Sequence, residues 1–169
     1  MINDSDQDKR TIQKNLAQLC FGFLFVLSVY NGIEPLQGSL NPDQGLGTTT
    51  TSVIYVTAVF SSLFVATPVI KIVGAKRGIL SLFLSHTLYC LANFHPRWWT
   101  LVPASSLLGL TATVGWGSQG VYMMSLAKRY GELTDQDTDT ILSFFTGIFF
   151  VFIGLTRPLG NLLSSIVLK

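Results

Sequence analysis

The chain has 169 residues, of which 49% are hydrophobic and 12% charged, with a mean hydropathy of +0.48; a soluble domain of this size carries about twice that charge. Eleven Lys and Arg against nine Asp and Glu give a formal charge of +2 without any long basic run, a balance that excludes a nucleic-acid partner and points to a membrane protein. No P-loop, zinc signature or hydrolase elbow occurs, so neither an enzyme nor a cofactor is expected.

In chain order, residues 1–15 form a polar tail, followed by five apolar stretches at about 16–40, 51–72, 78–94, 98–127 and 141–168, each near the roughly 20 residues that a membrane crossing needs. The expected fold is therefore an all-α membrane protein of five transmembrane helices. The first stretch is too long for a signal peptide and lacks a small-residue cleavage site, so it reads as a retained anchor. Cys20 and Cys90 fall inside apolar stretches, where a free thiol behaves as a small hydrophobe, and no disulfide is expected.

The breaks set the orientation. Lys9, Arg10 and Lys14 precede the first stretch, Lys71, Lys76 and Arg77 follow the second, and Lys128 and Arg129 follow the fourth; the opposite side holds Arg97 and Lys169. Basic residues mark the cytoplasmic side, which puts the N-terminus inside and Trp98 and Trp99 at the outer interface. In the cytoplasmic tail Asn3-Asp4-Ser5 matches a glycosylation sequon that should stay unmodified there. Asp135, Asp137 and Asp139 resemble the start of a calcium loop, but Thr140 and Thr146 stand where its glycine and glutamate belong, so no metal site is expected. The segment reads instead as a solvated loop whose Thr138 or Asp139 caps the fifth helix.

Within the spans, a helical projection of the fifth gathers Ser143, Thr146, Gly147, Gly154, Arg157, Gly160, Asn161, Ser164 and Ser165 on one side, opposite a Phe- and Leu-rich side. Small and polar residues are expected to face other helices and the Phe side to face lipid. Ala58, Ser62 and Ala66 in the second span, and Ser105, Gly109, Thr113 and Gly117 in the fourth, read as packing ridges. Tyr30, Asn31, Glu34, Gln37 and Gly38 share a face of the first span. At ~1.5 Å per residue, Glu34 lies roughly 27 Å and Arg157 roughly 24 Å from the cytoplasmic starts of their helices. The matched depth predicts an ion pair between them; the competing reading has both side chains snorkel to the outer headgroups. Each is followed by a proline, Pro35 and Pro158, and paired interrupted helices point to a binding site. His86 shares a face with Tyr89 and Asn93 and reads either as a proton relay or as a neutral side chain bonded to a neighbouring helix.

The stretches LQGSLNPDQGLG (36–47), GWGSQGVYMMS (115–125) and GNLLSS (160–165) are similar to the N-terminal part of Unc-93 family proteins, a branch related to the major facilitator superfamily. Leu36, Gln37, Ser39, Leu40, Gly45, Gly47, Trp116, Gln119, Tyr122, Gly160 and Asn161 carry the likeness, which covers nearly everything after the first fifteen residues. There are departures: Lys71 stands where superfamily transporters place an acid, and Glu34 and Arg157 stand where uncharged residues are expected. The resemblance implies the N-terminal half of a two-bundle fold, incomplete at five helices, in the plasma membrane or an endomembrane. It further implies a non-enzymatic accessory role toward channel or receptor subunits, such as regulating potassium channels or escorting Toll-like receptors, with a homo-oligomer or a missing C-terminal half completing the bundle. The alternative it implies is a solute transporter whose cavity is lined by Glu34, Arg157, Asn161 and Gln119.

Overall fold

The computed structural model describes residues 4–41 and 45–167. Within them the chain forms seven α-helices and one 3-10 turn, with no strand: α1 (Asp4–Ile33), the 3-10 turn Glu34–Leu36, α2 (Gln37–Leu40), α3 (Leu46–Phe64), α4 (Ala66–Val73), α5 (Ala75–Ala92), α6 (Trp98–Thr134) and α7 (Thr138–Val167). The sequon's Asn3, the loop residues Pro42, Asp43 and Gln44, and Lys169 lie outside the described residues. Three helical stretches, Asp6–Leu40, Leu46–Phe64 and Thr138–Ile166, are long and apolar enough to cross a membrane. Phe25, Val56, Leu63 and Phe144 on their surfaces are 68%, 69%, 70% and 64% exposed, an apolar exterior that water would not tolerate at this extent.

Prolines explain the breaks. Pro35 interrupts the first long helix, and the backbone tightens there to the 3-10 turn that carries Glu34. The stretch expected to be continuous at 51–72 breaks at Val65, because Pro68 offers no N–H to the carbonyl of Phe64 and disfavours helical geometry just before it. Gly74, at φ +85°, turns the chain between α4 and α5, and Asp135, at φ +52°, ends α6 in the left-handed region. Pro158, in contrast, leaves α7 unbroken, so only the first of the two expected interruptions exists. The residue one turn back from Pro158 is Gly154, which is exposed and has open space around its Cα.

The helices pack around two apolar clusters. One, toward the basic end, joins Leu16, Cys20 and Phe23 of α1 with Leu82 of α5, Met123 of α6 and Phe145 and Phe149 of α7. The other joins Leu46 and Ile54 of α3 with Tyr89 of α5 and Leu101 and Leu108 of α6. The Phe23 ring sits edge-on to Phe83 and to Phe149, with centroids 5.1 Å apart in both pairs. At the basic end Arg129 bonds Asp8 at 3.3 Å, tying the end of α6 to the start of α1. Cys20 is buried, Cys90 half-buried, and both are free thiols.

Small residues set the helix spacing. The ridge Ser105, Gly109, Thr113 and Gly117 of α6 faces α3 and α4: Ser61 Oγ donates to the Leu110 carbonyl at 2.7 Å, and Thr113 Oγ1 donates to Ser61 Oγ at 2.7 Å. The matching face of α3 is Ile54, Thr57, Ala58 and Ser61, so the expected Ala58 meets Gly109 whereas the expected Ser62 is exposed. The reason is that hydroxyls able to bond a facing carbonyl take the contact, which small size alone does not decide.

A larger correction concerns α7. Its buried residues are Ile141, Phe145, Phe149, Thr156 and Gly160, whereas Ser143, Gly147, Gly154, Arg157 and Asn161 are exposed. Phe144, Val151, Leu155, Leu162 and Ile166 are exposed, as expected of the Phe and Leu side, but the small and polar side is exposed too, and the packed stripe is a narrow one in which Phe145 and Phe149 fill an apolar seat formed by Cys20 and Phe23 of α1. Nearer its end the small residues do make the contact, through Gly160 against α1.

Candidate functional site

A cavity of about 460 Å³ lies between the two clusters, with walls from α1, α3, α5, α6 and α7. Its apolar walls include Leu27, Ile54, Leu108 and Ile153, and its polar and aromatic ones Tyr30, Asn31, Tyr55, His86, Trp116, Thr156 and Arg157.

Most of these polar groups are already satisfied. Asn31 Nδ2 donates to Thr156 Oγ1 at 2.9 Å, and Thr156 Oγ1 donates to the Ile153 carbonyl at 2.7 Å, which links α1 to α7. His86 Nδ1 lies 2.8 Å from the Leu82 carbonyl. A carbonyl can only accept, so Nδ1 carries a proton. The bond runs within α5 rather than to the neighbouring helix expected, and the Tyr30 ring meets His86 edge-on at 5.0 Å.

Tyr55 extends from α3 and donates to Glu34 Oε1 at 3.2 Å. Glu34 and Arg157 form no salt bridge; Arg129–Asp8 is the single one among the described residues. The Pro35 turn takes Glu34 out of the helical register of α1, and its carboxylate meets the α3 phenol before it can meet α7. Arg157 lines the cavity beside Tyr55. Gln119 is half-buried one turn beyond Trp116, Asn161 is exposed one turn beyond Arg157, and neither lines the cavity. Of the four polar residues singled out from the sequence, one lines the cavity and one reaches its edge through Tyr55. Tyr55 itself was missed, although its position in an apolar span was visible.

A second polar group has a structural role. Gln37 Nε2 donates to Asn93 Oδ1 at 2.6 Å, Asn41 Nδ2 donates to Gln37 Oε1 at 2.9 Å, and Asn93 Nδ2 donates to the Tyr89 carbonyl at 2.8 Å. Gln37 is fully buried, and a Cβ on Gly47 would collide with its carbonyl. The spacing of Gln37, Asn41 and Gly47 in the LQGSLNPDQGLG stretch thus clamps the start of α3 onto α2. No group of three or more His, Cys, Asp or Glu among the described residues could hold a metal ion. Asp137 accepts from the Thr140 amide at 3.0 Å and caps α7, the role expected of Thr138 or Asp139.

An all-helical bundle with an apolar exterior and a polar cavity between its helices is a membrane protein. A family model described as "Ion channel regulatory protein UNC-93" matches residues 38–136, and the chain belongs to the UNC-93 family. It is 36% identical to protein unc-93 homolog A of Xenopus laevis over 91% of this chain and 34% of that protein. It is 33% identical to the "Putative potassium channel regulatory protein unc-93" of Caenorhabditis elegans, over 94% of this chain and 22% of that one. UNC93-like protein 3 of Arabidopsis thaliana is 28% identical over the whole chain and 37% of its own length. The chain thus spans about a third of the length of the homolog A relative it matches.

Proposed function

We propose that the protein is a multi-pass, non-enzymatic regulatory membrane protein that acts on an ion channel, with five membrane crossings and a cytoplasmic N-terminus. The observation that carries this reading is the likeness to an ion channel regulatory family across residues 38–136, together with the potassium channel regulatory name of the Caenorhabditis elegans relative. The exposed Ser143 and Gly147 of α7 support it, since small residues permit close approach by a helix of another subunit.

Co-expression with potassium channels tests the proposal. Copurification of an intact channel in mild detergent, with a change in its current, is the expected result; unaltered currents and no copurification across the channels tried would sink it. Escort of a receptor between compartments is the other accessory role that the family resemblance implies, and copurification with a receptor in place of a channel would move the assignment there.

A second reading, part of a major facilitator type solute carrier, is favoured by the cavity that all five long helical stretches line. Substrate-dependent uptake by a polypeptide of the relatives' length, abolished by Arg157→Ala, would establish it.

A further inference from the structure

We propose that the cavity binds a small organic monoanion, a carboxylate or sulfonate carried on an apolar, aromatic-sized body. The inference goes beyond channel regulation and holds whether the protein regulates a channel or carries a solute.

Volume comes first: about 460 Å³ lies within the usual range for a small-molecule site. Charge decides the class. Arg157 is the one Arg or Lys among the lining residues, and no Asp or Glu lines the cavity with it. Its nearest candidate counter-charge, Glu34, accepts from Tyr55 and makes no ion pair. Among the other lining donors, Asn31 bonds Thr156, Thr156 bonds Ile153, Tyr55 bonds Glu34 and His86 Nδ1 bonds Leu82, while the Tyr30 hydroxyl and the Trp116 indole N–H stay open as neutral donors. Arg157 takes part in no side-chain hydrogen bond among the described residues, which leaves its guanidinium as the one open charged donor in the lining.

A guanidinium offers a planar fork of donors that matches two oxygens of one carboxylate or sulfonate, and such a pair is strongest where water is scarce. A cation would meet Arg157 with no acid in the lining to offset it, and the acid at the cavity's edge, Glu34, is already held by Tyr55. A neutral ligand would leave the fork of donors on Arg157 without the charged acceptor that makes such bonds strong. The body of the ligand would lie against Tyr30, Tyr55 and Trp116, whose faces suit an aromatic or branched apolar group.

The test is isothermal titration of the full chain in lipid nanodiscs with 4-phenylbutyrate and with its uncharged isostere 4-phenylbutyramide. The acid is expected to bind at least about tenfold tighter than the amide, as a charge-assisted pair requires. In Arg157→Gln the acid should fall to the level of the amide while amide binding persists, which shows that the cavity is still formed; Arg157→Lys should keep part of the preference. Glu34→Gln, which retains an acceptor for Tyr55 but removes a negative charge from the cavity's edge, should tighten the acid and leave the amide unchanged. Equal affinity for acid and amide, an unaltered preference in Arg157→Gln, or no binding of the acid by the folded wild-type chain at millimolar concentration would each overturn the proposal. Channel currents do not enter this measurement, so its failure and that of channel regulation are separately visible.

Discussion

Gly32 and Gly160 sit where α1 and α7 cross. A Cβ on Gly160 would stand 2.6 Å from the Ser28 carbonyl oxygen, and one on Gly32 would stand 2.8 Å from the Gly160 carbonyl oxygen. The close approach lets Ser164 Oγ donate to the Gly32 carbonyl at 2.6 Å, a bond between helices in a setting where water cannot compete. Gly160→Val should therefore push the helices apart and destabilise the protein by about 1–3 kcal/mol, read as a lowered midpoint of thermal unfolding in detergent; an unchanged midpoint would mean that the crossing is looser than described. Gln37 offers a second test. Gln37→Leu keeps the volume but strands the amides of Asn41 and Asn93, at a cost of about 1–3 kcal/mol for each buried group left without a partner. Asn93→Ala made on top of it should cost less than it does alone, and fully additive losses would argue against the network.

The helix α7 separates what periodicity can reveal from what it cannot. Its amphipathic split into a small, polar side and a Phe and Leu side is plain in the sequence, yet which side meets protein depends on the shape that α1 presents. Phe149 is fully buried against Phe23, whereas its neighbour Phe150 is 58% exposed. Phe149→Ala is expected to cost about 3–5 kcal/mol and Phe150→Ala far less, and equal losses in thermal unfolding would argue against the packing of Phe149 on α1. At the start of the same helix, Asp137→Ala should cost about 1 kcal/mol by removing the cap on the Thr140 amide, with Asp139→Ala milder because its carboxylate acts only through the helix dipole. The breaks between helices were legible where turn chemistry is local, at Gly74 and at Pro35. The break at Val65 was missed although its cause, Pro68, stood in plain view three residues on; Pro158 carried the same signal, yet α7 runs on through it.

For the molecule as a whole, the proposed five-crossing arrangement makes a prediction about sides. In a cysteine-free background, Arg97→Cys should react with an impermeant maleimide in intact cells, while Lys71→Cys and Lys128→Cys should react only after permeabilisation. Labelling of all three from one side would remove the proposed topology. The cavity sits where the two apolar clusters leave a gap, between Leu27 and Trp116 on one side and Ile54 and Leu108 on the other. Composition, hydropathy period, proline and glycine positions and the motifs at 36–47 and 115–125 determined by themselves that the chain is helical, apolar on the outside and of the UNC-93 family, because these are local properties that each segment carries alone. The partners of Glu34 and Arg157, the packed face of α7 and the residues that line the cavity were decided only by the tertiary structure. Each depends on the direction of a side chain relative to a helix distant in sequence, and a single turn such as the one at Pro35 is enough to redirect it.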